Sequence, residues 1–320
     1  MLWNLIKTDF PPYRDTYLMN DRPQRASGSE ATSGFVKFIV VCQLCILSLT
    51  GGGLTVLAQQ RPLLTQDATI HPPGQVSFQI GFDFLQDAKY PLAGLRGDLT
   101  SLGVMGVYIG LGEIVEFQLQ GTTYNFLSIN QRSATPLNLQ LNAAGTATSD
   151  FGDLVLSTKI LLLSEDGPRP SLAFLPSVQL PNASAAKGLG LDSTQFYASL
   201  IGGKHWGRLN AFANLGLGIL SNPVTPGVQN DVLVYGVGGI YPLSQAISLA
   251  SEVNGRWSTH TAILGTESLS QLRLGLQIRG GGLRWDIAGI AGLASNSPHS
   301  GVTFGVSKEF QAFHLKPPKP

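Results

Sequence analysis

Beyond residue 59 the chain shows almost no helical periodicity; apolar and polar residues alternate with a period of two. Leu272, Leu274, Leu276 and Ile278 share one parity, and Gln271, Arg273, Gly275, Gln277 and Arg279 the other. Leu283, Trp285 and Ile287 likewise oppose Arg284, Asp286 and Ala288. Val302, Phe304 and Val306 oppose Thr303, Gly305 and Ser307, and residues 76–84 and 209–219 repeat the pattern. Each such segment reads as a strand with one apolar and one polar face. Strands are predicted to start near residues 75, 99, 113, 152, 171, 194, 208, 231, 245, 268, 283 and 301.

The links between these strands decide the architecture. Short ones at 111–112, 164–170, 205–207, 242–245 and 280–282 alternate with longer ones at 85–98, 122–150, 181–193, 221–230 and 255–266. Tight turns at one end and long loops at the other are the habit of transmembrane barrels. A secreted sandwich or jelly roll has no reason to keep that order. The expected fold class is therefore all-β: a transmembrane antiparallel up-and-down β-barrel of about twelve strands, spanning residues 75–310. Trp206, Tyr235, Tyr241, Trp257, Trp285 and Phe310 near strand ends are candidates for interfacial girdles.

Composition sharpens this picture. Of 320 residues only 13% are charged, against about 25% in ordinary soluble domains, while 43% are hydrophobic and 38 are Gly. Such a chain collapses rather than staying disordered. A net charge of +1 lacks the basic excess of a nucleic-acid binder, and two cysteines make no disulfide scaffold. A closed sheet explains the scarcity of charge, since its outer face meets lipid and Gly, Ser and Asn fill the inner one.

The N-terminal 58 residues read as an address. Residues 35–57 form an apolar run with Lys37 in front, and Val56-Leu57-Ala58 fits a small-x-small cleavage pattern, so cleavage of a signal peptide is expected after Ala58. An uncleaved anchor helix is the alternative, and Met19 is an alternative start to Met1. Cys42 and Cys45 lie inside the apolar run, so their CxxC spacing is incidental there. Residues 59–74 are expected as a periplasmic lead-in and 311–320 as a tail. The residues beyond Ala58 hold no cysteine and equal numbers of acidic and basic groups.

Parity places Glu116, Asp153, Lys159, Glu252, Arg273, Arg279, Arg284 and Asp286 on the inner face. They form either a charged constriction that screens a solute or a salt-bridged plug that fills a narrow lumen. Val155, Leu161, Leu175, Val232, Val234 and Ile240 share the inward parity, which favours an apolar solute or a lateral exit. His71, His205, His260, His299 and His314 are the histidines; His299-Ser300 and His260-Thr261 are adjacent pairs without a nucleophile motif. No Cys/His or Asp/Glu spacing marks a metal site, and no cofactor is expected.

Several fragments also carry a family resemblance. They are Gly152-Asp153-Leu154-x-Leu156-x-x-Lys159, Pro170-Ser171-Leu172-Ala173, and Val178-Gln179-Leu180-Pro181. Lys187-Gly188-Leu189-Gly190-x-Asp192-Ser193-Thr194, Asn210-Ala211-Phe212-Ala213-Asn214-Leu215-Gly216 and Arg273-Leu274-Gly275-Leu276 continue the series. In this order, over residues 153–310, the chain resembles the outer-membrane protein family named after the meta-pathway of phenol degradation. The resemblance implies an outer-membrane barrel of a Gram-negative-type bacterium that passes hydrophobic or aromatic compounds. The final strand, from Gly305 to Phe310, resembles the signal read by the barrel-assembly machinery. Expected partners are thus outer-membrane lipid, that machinery and a small solute, with no nucleic acid. Passive passage is the leading function. An enzyme acting on envelope lipid, or a closed structural or receptor barrel with partner-binding loops, are the alternatives.

Overall fold

A computed structural model describes residues 61–141, 145–225, 227–259 and 263–314. The expected signal peptide, the Ala58 cleavage point, Cys42, Cys45 and the His260-Thr261 pair lie outside the described residues. Thirteen antiparallel strands form one sheet. In chain order they are β1 (Gln75–Tyr90), β2 (Leu95–Gly110), β3 (Val115–Arg132), β4 (Ala147–Asp150), β5 (Leu154–Leu163), β6 (Ser171–Leu180) and β7 (Gln195–Trp206). There follow β8 (Leu209–Ser221), β9 (Gln229–Pro242), β10 (Ile247–Ser258), β11 (Leu269–Gly280), β12 (Leu283–Gly292) and β13 (Ser300–Gln311).

The sheet closes on itself because β1 pairs with both β2 and β13, and every other stave pairs with two neighbours. β4 and β5 both pair with β3, one beyond the other, so they share a position and the barrel has twelve staves. Closure leaves no unpaired edge except along the short β4, and pairing throughout is what a bilayer demands of a spanning sheet. The only described helix is a single 3-10 turn, Ala185–Lys187.

Alternation sorts the side chains as the residue pattern predicts. Phe82, Phe196, Leu217, Val237, Leu274 and Ile287 point outward and are exposed, while Gln79, Gln118, Asn210, Glu252 and Asp286 are buried inside. An exposed belt of this size is unsuited to water and suited to lipid. Trp206 and Phe310 near one end, and Trp257 near the other, are exposed on the same outer surface.

Two expectations need correction. The loop expected over 85–98 is mostly strand: β1 and β2 run on to a four-residue turn closed by Gly94 N–H donating to the Pro91 carbonyl (3.2 Å). Likewise β3 continues to Arg132 through a segment expected as loop. A β-bulge where β1 meets β2, between Gly81 and Phe82, lets the pairing continue past Gly103 and turns Leu95 and Leu99 inward, both under 9% exposed. They join Ala88, Ala93 and Leu127 in an apolar cluster, which gives the extended strands a core of their own.

If the belt faces lipid, position along a strand sets the cost of a charge there. Val237→Arg, in the middle of β9, should destabilise folding by about 2–4 kcal/mol, and Leu243→Arg, in the turn beyond it, by about 0–1 kcal/mol. Urea titration of the protein in vesicles measures both.

Candidate functional site

Residues 61–74, expected as a periplasmic lead-in, run inside the barrel instead. They leave β1 at the short-turn end, where Gly74 N–H donates to the Gly110 carbonyl (2.7 Å) and Ala312 N–H donates to the Gly74 carbonyl (2.9 Å). From there the segment touches all twelve staves. Arg61 reaches β1, β2, β12 and β13 through Asp83, the Val104 carbonyl, Asp286 and Thr303. Leu63 packs with Phe212, Ile240 and Ala250, and Ala68 with Ala173, Leu175 and Ile201. A short chain that touches every stave of a closed ring lies within it.

The inner wall and this segment satisfy each other. The segment forms no ladder, so its N–H and C=O groups need partners inside the protein. Glu252 accepts from the N–H groups of Leu64 (2.8 Å) and Thr65 (2.6 Å). Glu116 accepts from the His71 N–H (2.8 Å) and contacts its ring Nδ1 (2.6 Å). Lys159 donates to the carbonyls of Asp67 (3.0 Å) and Thr69 (3.1 Å), and Arg273 to that of Pro62 (3.1 Å). Gln118 and Gln66 exchange paired amide bonds, and Asn210 donates to Asp67 (2.6 Å). Glu116, Lys159 and Glu252 have no exposed surface, and buried charges persist only when paired in this manner.

Five of the eight candidate inner-face residues therefore converge on one segment: Glu116, Lys159, Glu252, Arg273 and Asp286. Ion-pair spacings of 3.6 Å for Lys159–Glu116 and 3.8 Å for Arg273–Glu252 tie the wall together around it. Arg284 lies toward the short-turn end, donating to Ser307 (2.9 Å) with Glu309 at 3.9 Å. Together with the exposed Arg279 it lines a cavity of about 260 Å³ there.

Asp153 does different work. It sits between the end of β4 and the start of β5, accepting from Gln179 and from the N–H groups of Asn182 and Ala183 (2.7–2.9 Å). Asp150 holds Ser184 N–H in the same loop (2.7 Å). β6 ends at Leu180 opposite Leu154, so β4 has β3 on one side and only this loop on the other. The two aspartates thus clasp a loop over an interruption in the wall. Outside it, the exposed rings of Tyr124 and Phe151 meet edge to face at 5.9 Å.

The residues sequence reasoning missed are those of the segment itself, Arg61, Asp67 and His71, and their partner Asp83. A signal existed: Asp83 and Asp286 face only neutral residues on their neighbouring strands, and Arg61 is the sole Lys or Arg in residues 59–74. Gly305, named for its place in the assembly signal, faces inward, and a first side-chain carbon there would lie 2.5 Å from Arg61 Nε. Phe310 of that signal is exposed and pairs with Val76.

On the long-loop side of the segment lies a cavity of about 490 Å³. Leu85, Val155, Leu175, Val234 and Leu269 give it apolar wall, and Ser157, Ser177, Ser199 and Asn214 give it neutral polar wall. A smaller void of about 190 Å³ runs beside the segment along β1–β3, sharing Leu64 and Gln120 with it. The Oδ1 of Asn214 and the Oγ1 of Thr65, both lining the larger cavity, are buried without a hydrogen-bond partner.

The four described histidines stand apart from one another and have other neighbours. His71 pairs with Glu116 and His205 with Glu165 (2.6 Å), while Ser300, next to His299, donates to Gln86. His314 is exposed beyond β13. Among the described residues no three His, Cys, Asp or Glu side chains group as metal ligands.

The model of the family described as "Putative MetA-pathway of phenol degradation" matches residues 61–229, more than half the chain. The match begins at the lumen segment and overlaps the fragments noted above only in part. No curated protein sequence matches. Among solved structures, the COG4313 outer membrane channel from Pseudomonas putida F1 is similar with a TM-score of 0.55 and 14% identity, over 76% of this chain and 98% of that one. The translocator domain of autotransporter NalP from Neisseria meningitidis follows at 0.46 and 14%, over 88% and 98%. The Pseudomonas putida toluene transporter TodX reaches 0.39 and 11%, over 75% and 90%.

Removing the grip on the segment should open the lumen. Arg61→Ala combined with Glu252→Gln deletes the Arg61 contacts and weakens two charge-assisted bonds, each worth about 1.5–3 kcal/mol. Single-channel recordings should show a severalfold higher and noisier conductance than the parent, with heat-modifiable gel mobility retained.

Proposed function

Because this chain belongs to the family described by the phenol-degradation MetA-pathway, we propose that it is an outer-membrane channel for passive entry of small hydrophobic or aromatic molecules. The single observation that carries the reading is the 490 Å³ cavity: mostly apolar, placed between the long loops and a segment that closes the axial path. Such a vestibule is the right size for a small apolar molecule and offers a few fixed polar contacts. In the orientation usual for these barrels the short turns face the periplasm and the cavity faces outward. The similarity of the fold to an outer membrane channel of Pseudomonas putida F1 supports the same reading.

Exit follows from the wall. Val155 and Gln120 line the cavity on β5 and β3, next to the pairing of Gln120 with Val155 and Gly121 with Leu154 where β5 ends. Beyond that row the β4–β6 side is closed by a loop rather than by a ladder. Releasing the Asp150 and Asp153 bonds would open a sideways path into lipid without disturbing the segment. Export by a cleaved signal peptide and insertion by the assembly machinery belong to this proposal.

A second reading, a closed structural barrel, is favoured by one observation, the occupied lumen axis. Uptake separates the two. Cells lacking the gene should accumulate labelled toluene, supplied at low concentration, severalfold more slowly than cells carrying it. Leu175→Asp with Val234→Asp should slow uptake similarly. Equal rates with and without the gene would establish the closed barrel.

A further inference from the structure

We propose that the upper cavity selects solutes that carry an anionic head, a carboxylate or phenolate, on an apolar body, with Arg256 as the anchor. The inference deepens the channel reading and rests on it, because it takes this cavity to be the place where solute binds.

The argument is an account of charge. Each inward acid of the mid-barrel is committed to the segment or its supports. Glu252 holds Leu64, Thr65 and Asn254; Glu116 holds His71 and Gln118; Asp286 and Asp83 hold Arg61. None of these carboxylates lines the cavity, and no other described carboxylate does. Two cations do line it, Arg256 and Arg273. Arg273 is compensated, with Asp83 at 3.9 Å and Glu252 at 3.8 Å.

Arg256 has no carboxylate at ion-pairing distance; that of Glu267 acts on it only from beyond 4.0 Å. It projects from the inward row of β10 that also carries Glu252 and Asn254, and is only half-buried. Its Nε donates to the Glu267 backbone carbonyl (2.8 Å) and its Nη2 to the Gly265 carbonyl (3.0 Å). The Glu267 carboxylate accepts instead from Gly265 N–H (2.8 Å) and makes no ion pair with Arg256 within 4.0 Å. Nη1 has no hydrogen bond to a described residue. Two backbone carbonyls therefore fix the guanidinium plane and leave one edge toward the cavity.

A guanidinium taken partly out of water without a paired carboxylate costs free energy, and an anion arriving at its open edge recovers part of it. The rest of the wall is complementary to the body of such a molecule: Val234 stands beside Arg256 on β9, and Val155 and Leu175 line the same space from β5 and β6. Amines face the reverse condition, because the cavity offers them a cation and no anion.

Three probes sharing one body test this: 4-phenylbutanoate, 4-phenylbutan-1-ol and 4-phenylbutylamine. Their binding to the full chain in nanodiscs of uncharged lipid is read by equilibrium dialysis against empty discs. The carboxylate should bind about tenfold more tightly than the alcohol, as a hydrogen bond to a charged group implies, and the amine most weakly. Arg256→Gln should bring the carboxylate-to-alcohol ratio to about one. Gln271→Glu, which leaves the Arg256 contacts in place and adds a carboxylate to the lining, should abolish the preference as well.

Equal affinity for acid and alcohol, tighter binding of the amine, or a carboxylate preference that survives both substitutions would overturn the proposal. Absence of carboxylate binding above empty discs would overturn it too. Toluene uptake by cells, which involves no charged head, judges the channel reading separately.

Discussion

The structure depends on one exchange: buried carboxylates on the inner wall accept the backbone N–H groups of a segment that has no other partners. Glu252 with Leu64 and Thr65, and Glu116 with His71, are its two centres. Neither side is stable alone. A fully buried glutamate without donors, or a non-ladder backbone without acceptors, costs several kcal/mol in surroundings this apolar. Together they fill a twelve-stave lumen and tie its charges into one network. The cavities lie above, below and beside this network, so their positions follow from it.

The same exchange accounts for the distribution of charge. On the outer face lipid excludes it. On the inner face the mid-barrel acids Glu116, Glu252, Asp83 and Asp286 are matched to donors of the segment or to neighbouring cations. Small residues make room for the crossing chain; any side chain at Gly305 would collide with Arg61. The cavity above inherits what is left, which is apolar wall, neutral hydroxyls and amides, and one guanidinium with only carbonyl partners. Its chemistry is a residue of the plug's own requirements.

The barrel was legible in the sequence because period-two alternation and alternating link lengths are local properties. The short turns near 111, 207, 243 and 281 and the inward parity of Glu252, Arg273 and Asp286 needed nothing beyond neighbouring residues. Strand ends were less legible. β2 runs past the expected loop boundary with its parity changed at Gly103, the extra residue of a bulge opposite Gly81 and Phe82, and alternation read across a bulge points to the wrong face. The path of residues 61–74 was illegible for another reason. Arg61 and Asp286 are 225 residues apart, and only closure of the ring brings them to 3.3 Å. Asp153 has inward parity, yet its partners lie in a loop after β6, so its part in covering the wall is a tertiary property.

The central claim, that this segment is held in the lumen by backbone donation to buried glutamates, is tested most directly by hydrogen exchange on the unmodified protein in nanodiscs. The account predicts that the amides of Leu64, Thr65 and His71 exchange as slowly as those of the strands around them. Exchange of these three amides at the rate of an unstructured chain would contradict it.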